Sequence, residues 1–131
     1  MKKYLGRYAG VIYGVMRIVV GFLFLCHGAQ KVFGTLGGKA ADLGSLIGVG
    51  GLIELIGGGL IMVGLFASFA AFICSGMMAV AYFMAHAGSA LLPIQNHGEL
   101  AVVYCFVFLY IAAHGAGKLS LASALNKPGW D

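Results

Sequence analysis

Residues 10–33 read GVIYGVMRIVVGFLFLCHGAQKVF, an apolar run in which Arg17 stands alone at depth and Lys31 falls near the end. A helix needs roughly 20 apolar residues to cross about 30 Å of hydrocarbon, and this run is long enough. Backbone inside a bilayer must satisfy its own hydrogen bonds, which leaves helices or a closed barrel. No period-2 alternation is present, so the run predicts a helix. Three further runs follow: Ile47–Phe66, Ala67–Ala87 and the shorter Leu100–Ala116. The chain is therefore expected to be all-α: a polytopic membrane protein, one four-transmembrane-helix bundle over residues 1–131.

Composition points the same way. Hydrophobic residues make up 61% and charged residues 9%, against roughly 45–50% and 25% in soluble domains. The net charge of +4 is no nucleic-acid signal, because five of the eight Lys and Arg sit at the chain ends: Lys2, Lys3, Arg7, Lys118 and Lys127. Basic ends belong at an anionic cytoplasmic leaflet, so both termini are expected in the cytoplasm and the connections 34–46 and 88–99 outside. The second and third runs nearly touch. Gly64 is expected to end one helix and Ser68 to cap the next, forming an antiparallel hairpin. The first run is too long for a signal peptide, and no small-x-small site follows it. Cys26, Cys74 and Cys105 lie in three different runs without a CxxC, which predicts small buried hydrophobes rather than disulfides. The tail 119–131 is expected to be loose, with Trp130 near the interface.

Ionised side chains at membrane depth cost roughly 2.5 kcal/mol or more, so they pair or line a cavity. Glu54 is the only charge in the second run, as Arg17 is deep in the first. At 100° per residue, Gly10, Gly14, Arg17, Gly21 and Gly28 share one face. Gly50, Glu54 and Gly58 are spaced by four. These two glycine faces are expected to meet, with Arg17 and Glu54 within joint reach directly or through a bridge. Such a pair either fixes helix register or lines a pocket for a quinone, a proton path or an anionic ligand.

Other polar residues join the candidate set. His27, His86 and His97 fall toward the outer face and His114 toward the cytoplasmic end. Tyr82 and His86 share a face with Ser75 and Met78. Glu99, Phe106, Tyr110 and His114 lie on one broad side of the fourth run. Lys31 is expected to snorkel to the interface; alternatively it forms a basic mouth above Glu54. Glu99 suits the positive start of the last helix, and a pairing with Lys31 stays open. No HxxxH or Glu-x-x-His spacing supports haem or metal, so neither is expected.

The string Arg17-Ile-Val-Val-Gly21…His27-Gly28-Ala-Gln-Lys31-Val-Phe33-Gly34 resembles the opening of the DoxX family of small four-helix membrane proteins. Glu54-Leu-Ile-Gly-Gly58-Gly…Gly64-Leu65, Asn96-His-Gly98-Glu99-Leu-Ala and Gly115-Ala-Gly117-Lys-Leu-Ser120-Leu121 continue the resemblance over residues 11–121. The family often ends in Ser-Leu-Asp, and here Ala122 follows Leu121, so no acidic role carries over there. The resemblance implies a bacterial inner-membrane protein with a link to redox work, since some relatives are membrane subunits of thiosulfate:quinone oxidoreductases. Arg17, Lys31, Glu54, Asn96 and Glu99 match recurrent polar positions of the family. A quinone is the one cofactor it suggests.

Three functions remain open. The first is a quinone-linked subunit of an oxidoreductase system. With no flavin, haem or iron–sulfur motif in the chain, its electrons would come from a protein partner. The second is a non-enzymatic membrane anchor or scaffold for a peripheral partner. The third is a small proton-coupled transporter, which would need to form a homo-oligomer. The candidate ligand pocket comprises Arg17, Glu54, His27, Lys31, His86, Tyr82, Asn96 and Glu99.

Overall fold

The computed structural model describes residues 1–127 and 129–131 in full and the backbone of residue 128. The helices are α1 (Lys2–Leu5), α2 (Ala9–Phe33), α3 (Leu46–Val63), α4 (Ala67–Ala85), α5 (Glu99–His114) and α6 (Leu121–Ala124), with single 3-10 turns at Gly6–Tyr8 and Pro128–Trp130. No strand occurs among the described residues. Three helical stretches are long and apolar enough to cross a membrane: α2 with its N-terminal extension, α3 and α4. The 16-residue α5 is apolar but shorter. The outward faces carry Phe22, Phe69, Phe72, Phe83 and Phe106, each more than half exposed. Contiguous apolar surface of that extent belongs in lipid rather than water.

Local chemistry sets the helix ends. Ser45 caps α3 by accepting from the Gly48 amide at 3.1 Å. Gly64 ends α3 at φ +71°, and the Leu65 and Gly64 amides donate back to the Leu60 and Ile61 carbonyls at 3.1 and 3.2 Å, the Schellman pattern. The expected hairpin is there, but Ser68 is not its cap. Phe66, at φ +49°, precedes α4, and its amide donates to the Trp130 carbonyl at 2.6 Å. The tail is correspondingly not loose. Trp130 stacks on Phe66 at 5.7 Å, Ala122 is buried, and the Ala122 amide donates to the Gly64 carbonyl at 3.2 Å. Ser120 caps α6 through the Ser123 amide.

Small residues let α2 and α3 lie backbone to backbone, as membrane helices do when no solvent drives them together. A Cβ on Gly21 would stand 2.6 Å from the Met62 nitrogen, and one on Gly28 would reach the Gly51 carbonyl oxygen at 2.7 Å. Gly21 therefore faces Gly58 and Met62, and Gly28 faces Gly51 and Leu55. The glycine faces meet as expected only in part. Gly10 has no neighbour, Gly14 abuts Leu119, and Gly50 looks away from α2 toward Met77. The core proper joins Phe24 with Tyr104, Phe108 and Ile111 of α5 and Ala71, Cys74 and Met78 of α4. Ser75 donates to the Cys105 carbonyl at 2.8 Å, tying α4 to α5. The broad side of Phe106, Tyr110 and His114 is exposed, because α5 buries Ala101, Tyr104, Phe108 and Ile111 instead.

Candidate functional site

The bundle has two polar centres, one at each end. At the end carrying both termini, Arg17 is completely buried. Its guanidinium donates to four backbone carbonyls: Ala116 at 3.0 Å, Met62 at 2.8 Å, and Ile61 and Leu119. Ile61 and Met62 lie in the last turn of α3, where a cation is favoured; the Ile61 carbonyl also accepts the Gly64 amide. Ala116 and Leu119 belong to the turn after α5. The guanidinium fork thus joins α2 to the α3 terminus and to the chain leaving α5. Tyr13 adds a bond from its hydroxyl to the Gly115 carbonyl, and Asp131 accepts from the Ala116 amide.

The expected contact between Arg17 and Glu54 does not form. The α2–α3 register puts Gly21 opposite Met62, and the Arg17 guanidinium reaches the Met62 carbonyl, about 12 Å along the helix axis from Glu54. Glu54 instead meets Lys31, with Nζ 2.6 Å from Oε1, the one ion pair among the described residues. Lys31 does not snorkel outward. Gly51 has no side chain, and the Lys31 Cβ lies 2.7 Å from where a Cβ on Gly51 would stand. The lysine stem crosses that gap and turns inward. Glu54 is 3% exposed, and its other oxygen, Oε2, is buried without a hydrogen-bond partner.

Glu54 lies at the inner end of a cleft of about 580 Å³. Helices α3 and α4 touch where Gly57 meets the Cys74 sulfur and separate toward the end with the long connections. The cleft fills that separation. Leu46, Ile47 and Val49 form one wall, Met77, Val80 and Met84 the other, and Phe24 and Tyr104 the floor. Their rings lie 5.1 Å apart, and the His27 ring stands edge-on to Tyr104 at 6.3 Å. The wall residues Leu46, Ile47, Val80 and Met84 are also exposed on the outer surface, so the cleft opens to the outside of the bundle.

A second network folds the 86–98 connection over the mouth. Asn96 is 4% exposed. Its Nδ2 donates to the Tyr82 hydroxyl at 3.1 Å and to the Ala90 carbonyl at 3.0 Å, its Oδ1 accepts from the Gly98 amide at 2.8 Å, and its carbonyl pairs with His86 Nδ1 at 3.0 Å. A carbonyl only accepts, so His86 Nδ1 carries a proton and donates it to Asn96.

Of the eight candidate residues, His27, Lys31, Glu54 and His86 line the cleft. Tyr82 and Asn96 shape the connection above it. Arg17 lies at the other end of the bundle, and Glu99 is exposed at the start of α5 and unpaired with Lys31. Gly50, Phe24, Tyr104 and His97 also line the cleft and were not among the eight. Tyr104 was legible in principle, since Ala101, Tyr104, Phe108 and Ile111 repeat at helical spacing. Among the described residues no three His, Cys, Asp or Glu side chains stand together as a metal-ligand set.

Comparison with known proteins accords with this architecture. The DoxX family model matches residues 13–87, from α2 to just past α4. An uncharacterized protein of Haemophilus influenzae is 40% identical over 130 residues, covering 94% of this chain and 97% of its own length. No solved structure matches the chain. The chain belongs to the DoxX family of membrane proteins.

Proposed function

We propose that this chain is an integral inner-membrane subunit of a quinone-linked redox system and that the cleft between α3 and α4 holds the quinone ring. The observation that carries this reading is the cleft itself: apolar walls, an aromatic floor, an opening to the outside of the bundle, and an ion pair at the inner end. Ligand sites are concave, mostly apolar and furnished with a few convergent polar groups, in a volume of roughly 300–1,000 Å³. A bound quinone supplies two-electron, two-proton redox chemistry. The chain's own residues bind and orient the ring. Lys31 keeps two of its three N–H donors after serving Glu54. Phe24 and Tyr104 offer faces and edges for stacking. His86 Nε2, near the mouth, takes or gives a proton on the side of the long connections. Electrons reach the site from a partner protein.

The five basic residues near the termini, against Lys31 and Lys39 at the other end, support cytoplasmic termini. The cleft then opens in the outer half of the bilayer. Purification in mild detergent, followed by organic extraction and mass spectrometry, tests the reading. An isoprenoid quinone in near-stoichiometric yield is expected. A quinone-free preparation, together with an unchanged quinone-reductase rate in membranes carrying Glu54→Gln, contradicts it.

A further inference from the structure

A second cavity lies at the end of the bundle that carries both termini. It holds about 320 Å³, and its polar lining is Lys118, Ser120, Ser123, Asn126, Lys127 and Asp131. The turn that presents Lys118 is fixed. Gly117, at φ +71°, packs on Tyr13, whose ring lies 3.0 Å from where a Cβ would stand. The Ser120 hydroxyl donates to the Gly117 carbonyl at 2.6 Å and accepts the Ser123 amide at 3.1 Å. Lys127 Nζ stands over the Trp130 ring, 5.7 Å from its centre. The Asp131 carboxylate is turned to the Ala116 amide. Neither lysine is ion-paired among the described residues, and the side chains of Ser123 and Asn126 are exposed and bond to no other described residue. One carboxylate that already has a donor thus shares the cavity with two unpaired ammonium groups and two free polar side chains. An oxyanion answers such a set, since it accepts several charge-assisted bonds at once.

We propose that this cavity binds the phosphate of an anionic lipid headgroup. Free phosphate shares that chemistry, but the surroundings favour the lipid. Leu119, Leu121, Leu125 and Trp130 belong to the same segment, and each is more than two-fifths exposed. Lys118 follows the end of α5 by four residues, and Trp130 stacks on Phe66, the residue before α4. The cavity therefore sits where apolar helices leave the hydrocarbon, the level at which tryptophan and lipid headgroups meet. A phosphate held there by Lys118 and Lys127 leaves its acyl chains to run along the exposed leucines. Basic pockets at the cytoplasmic ends of membrane helices recognise anionic headgroups in this way. The site is separate from the cleft and does not depend on what the cleft holds.

Trp130 is the chain's one tryptophan and touches Lys127, so its fluorescence reports the occupant. The full chain is reconstituted in phosphatidylcholine vesicles and titrated with phosphatidylglycerol or phosphatidylcholine brominated on the acyl chains. Half-quenching is expected at about 20-fold lower mole fraction of the brominated phosphatidylglycerol, roughly fivefold for each lysine. Lys118→Gln and Lys127→Gln are each expected to cut that preference about fivefold. Lys2→Gln combined with Lys3→Gln, at the same end but outside the cavity, is expected to preserve it. Equal quenching by the two lipids overturns the proposal. So does an equal loss in the Lys2 and Lys3 variant, which marks a diffuse attraction of the basic end. Loss of the preference when inorganic phosphate replaces chloride at constant ionic strength overturns the lipid assignment in favour of the free ion. The two-lipid comparison and the phosphate exchange use the wild-type chain, so poor folding of a variant leaves the test decisive.

Discussion

Lys31 Nζ stands 2.6 Å from Glu54 Oε1, although Lys31 lies in the last turn of its helix and Glu54 near the middle of another. The lysine reaches inward only because Gly51 leaves its stem a passage. Removing one partner of a buried pair strands the other charge, whereas replacing both by apolar groups is often close to neutral. Lys31→Met is therefore expected to destabilise the protein by about 3 kcal/mol, somewhat less than for a wholly buried pair because the lysine is partly exposed. Lys31→Met combined with Glu54→Leu is expected to recover most of that loss. Thermal unfolding of the two proteins in detergent checks the order.

Arg17 makes a different prediction. Its planar fork serves carbonyls from two separate segments, and an ammonium cannot copy that geometry. Arg17→Lys is expected to behave almost as badly as Arg17→Met, each losing about 3 kcal/mol or more by stranding buried carbonyls. The segment after α5 should come free. Limited trypsin digestion at the exposed Lys118 is expected to accelerate in both variants before the remaining helices are cut.

The glycines divide into two groups. Gly21 and Gly28 admit the α3 backbone, so Gly21→Ala or Gly28→Ala forces the helices apart and costs about 1–3 kcal/mol. Gly50 faces open space, its nearest neighbour to a built Cβ being the Met77 sulfur at 3.9 Å. Gly50→Leu is expected to keep or raise the melting temperature, since leucine favours helix, while filling the cleft and abolishing ring binding. Equilibrium binding and thermal unfolding of the same preparations separate the two groups.

Much of the fold was legible because its causes are one-dimensional. Apolar runs between basic ends mark the helices, and the observed ends of α2 to α5 fall within a few residues of the runs, Gly10–Phe33 against Ala9–Phe33 for example. Gly21, Gly28 and Gly58 announced a close approach. The partner of Arg17 was not legible because it is backbone, and carbonyls freed at a helix end leave no side-chain pattern. Register was the second obstacle. A face calculation puts Arg17 and Glu54 toward a common seam but does not say that Gly21 faces Gly58. Lys31 read as a snorkelling residue because its inward route depends on Gly51, a residue of another helix. The docking of Trp130 on Phe66 likewise joins positions that no local pattern links.

The proposed quinone site puts a lipophilic ring between the diverging ends of α3 and α4. An azido-substituted benzoquinone, photolysed with the full chain in detergent and followed by peptide mapping, tests it most directly. Label is expected to concentrate in 46–54 and 77–86, to be suppressed by unlabelled competitor and to be absent in Gly50→Leu. Label spread over the lipid-facing Phe69 and Phe72, insensitive to competitor and to that substitution, would contradict it.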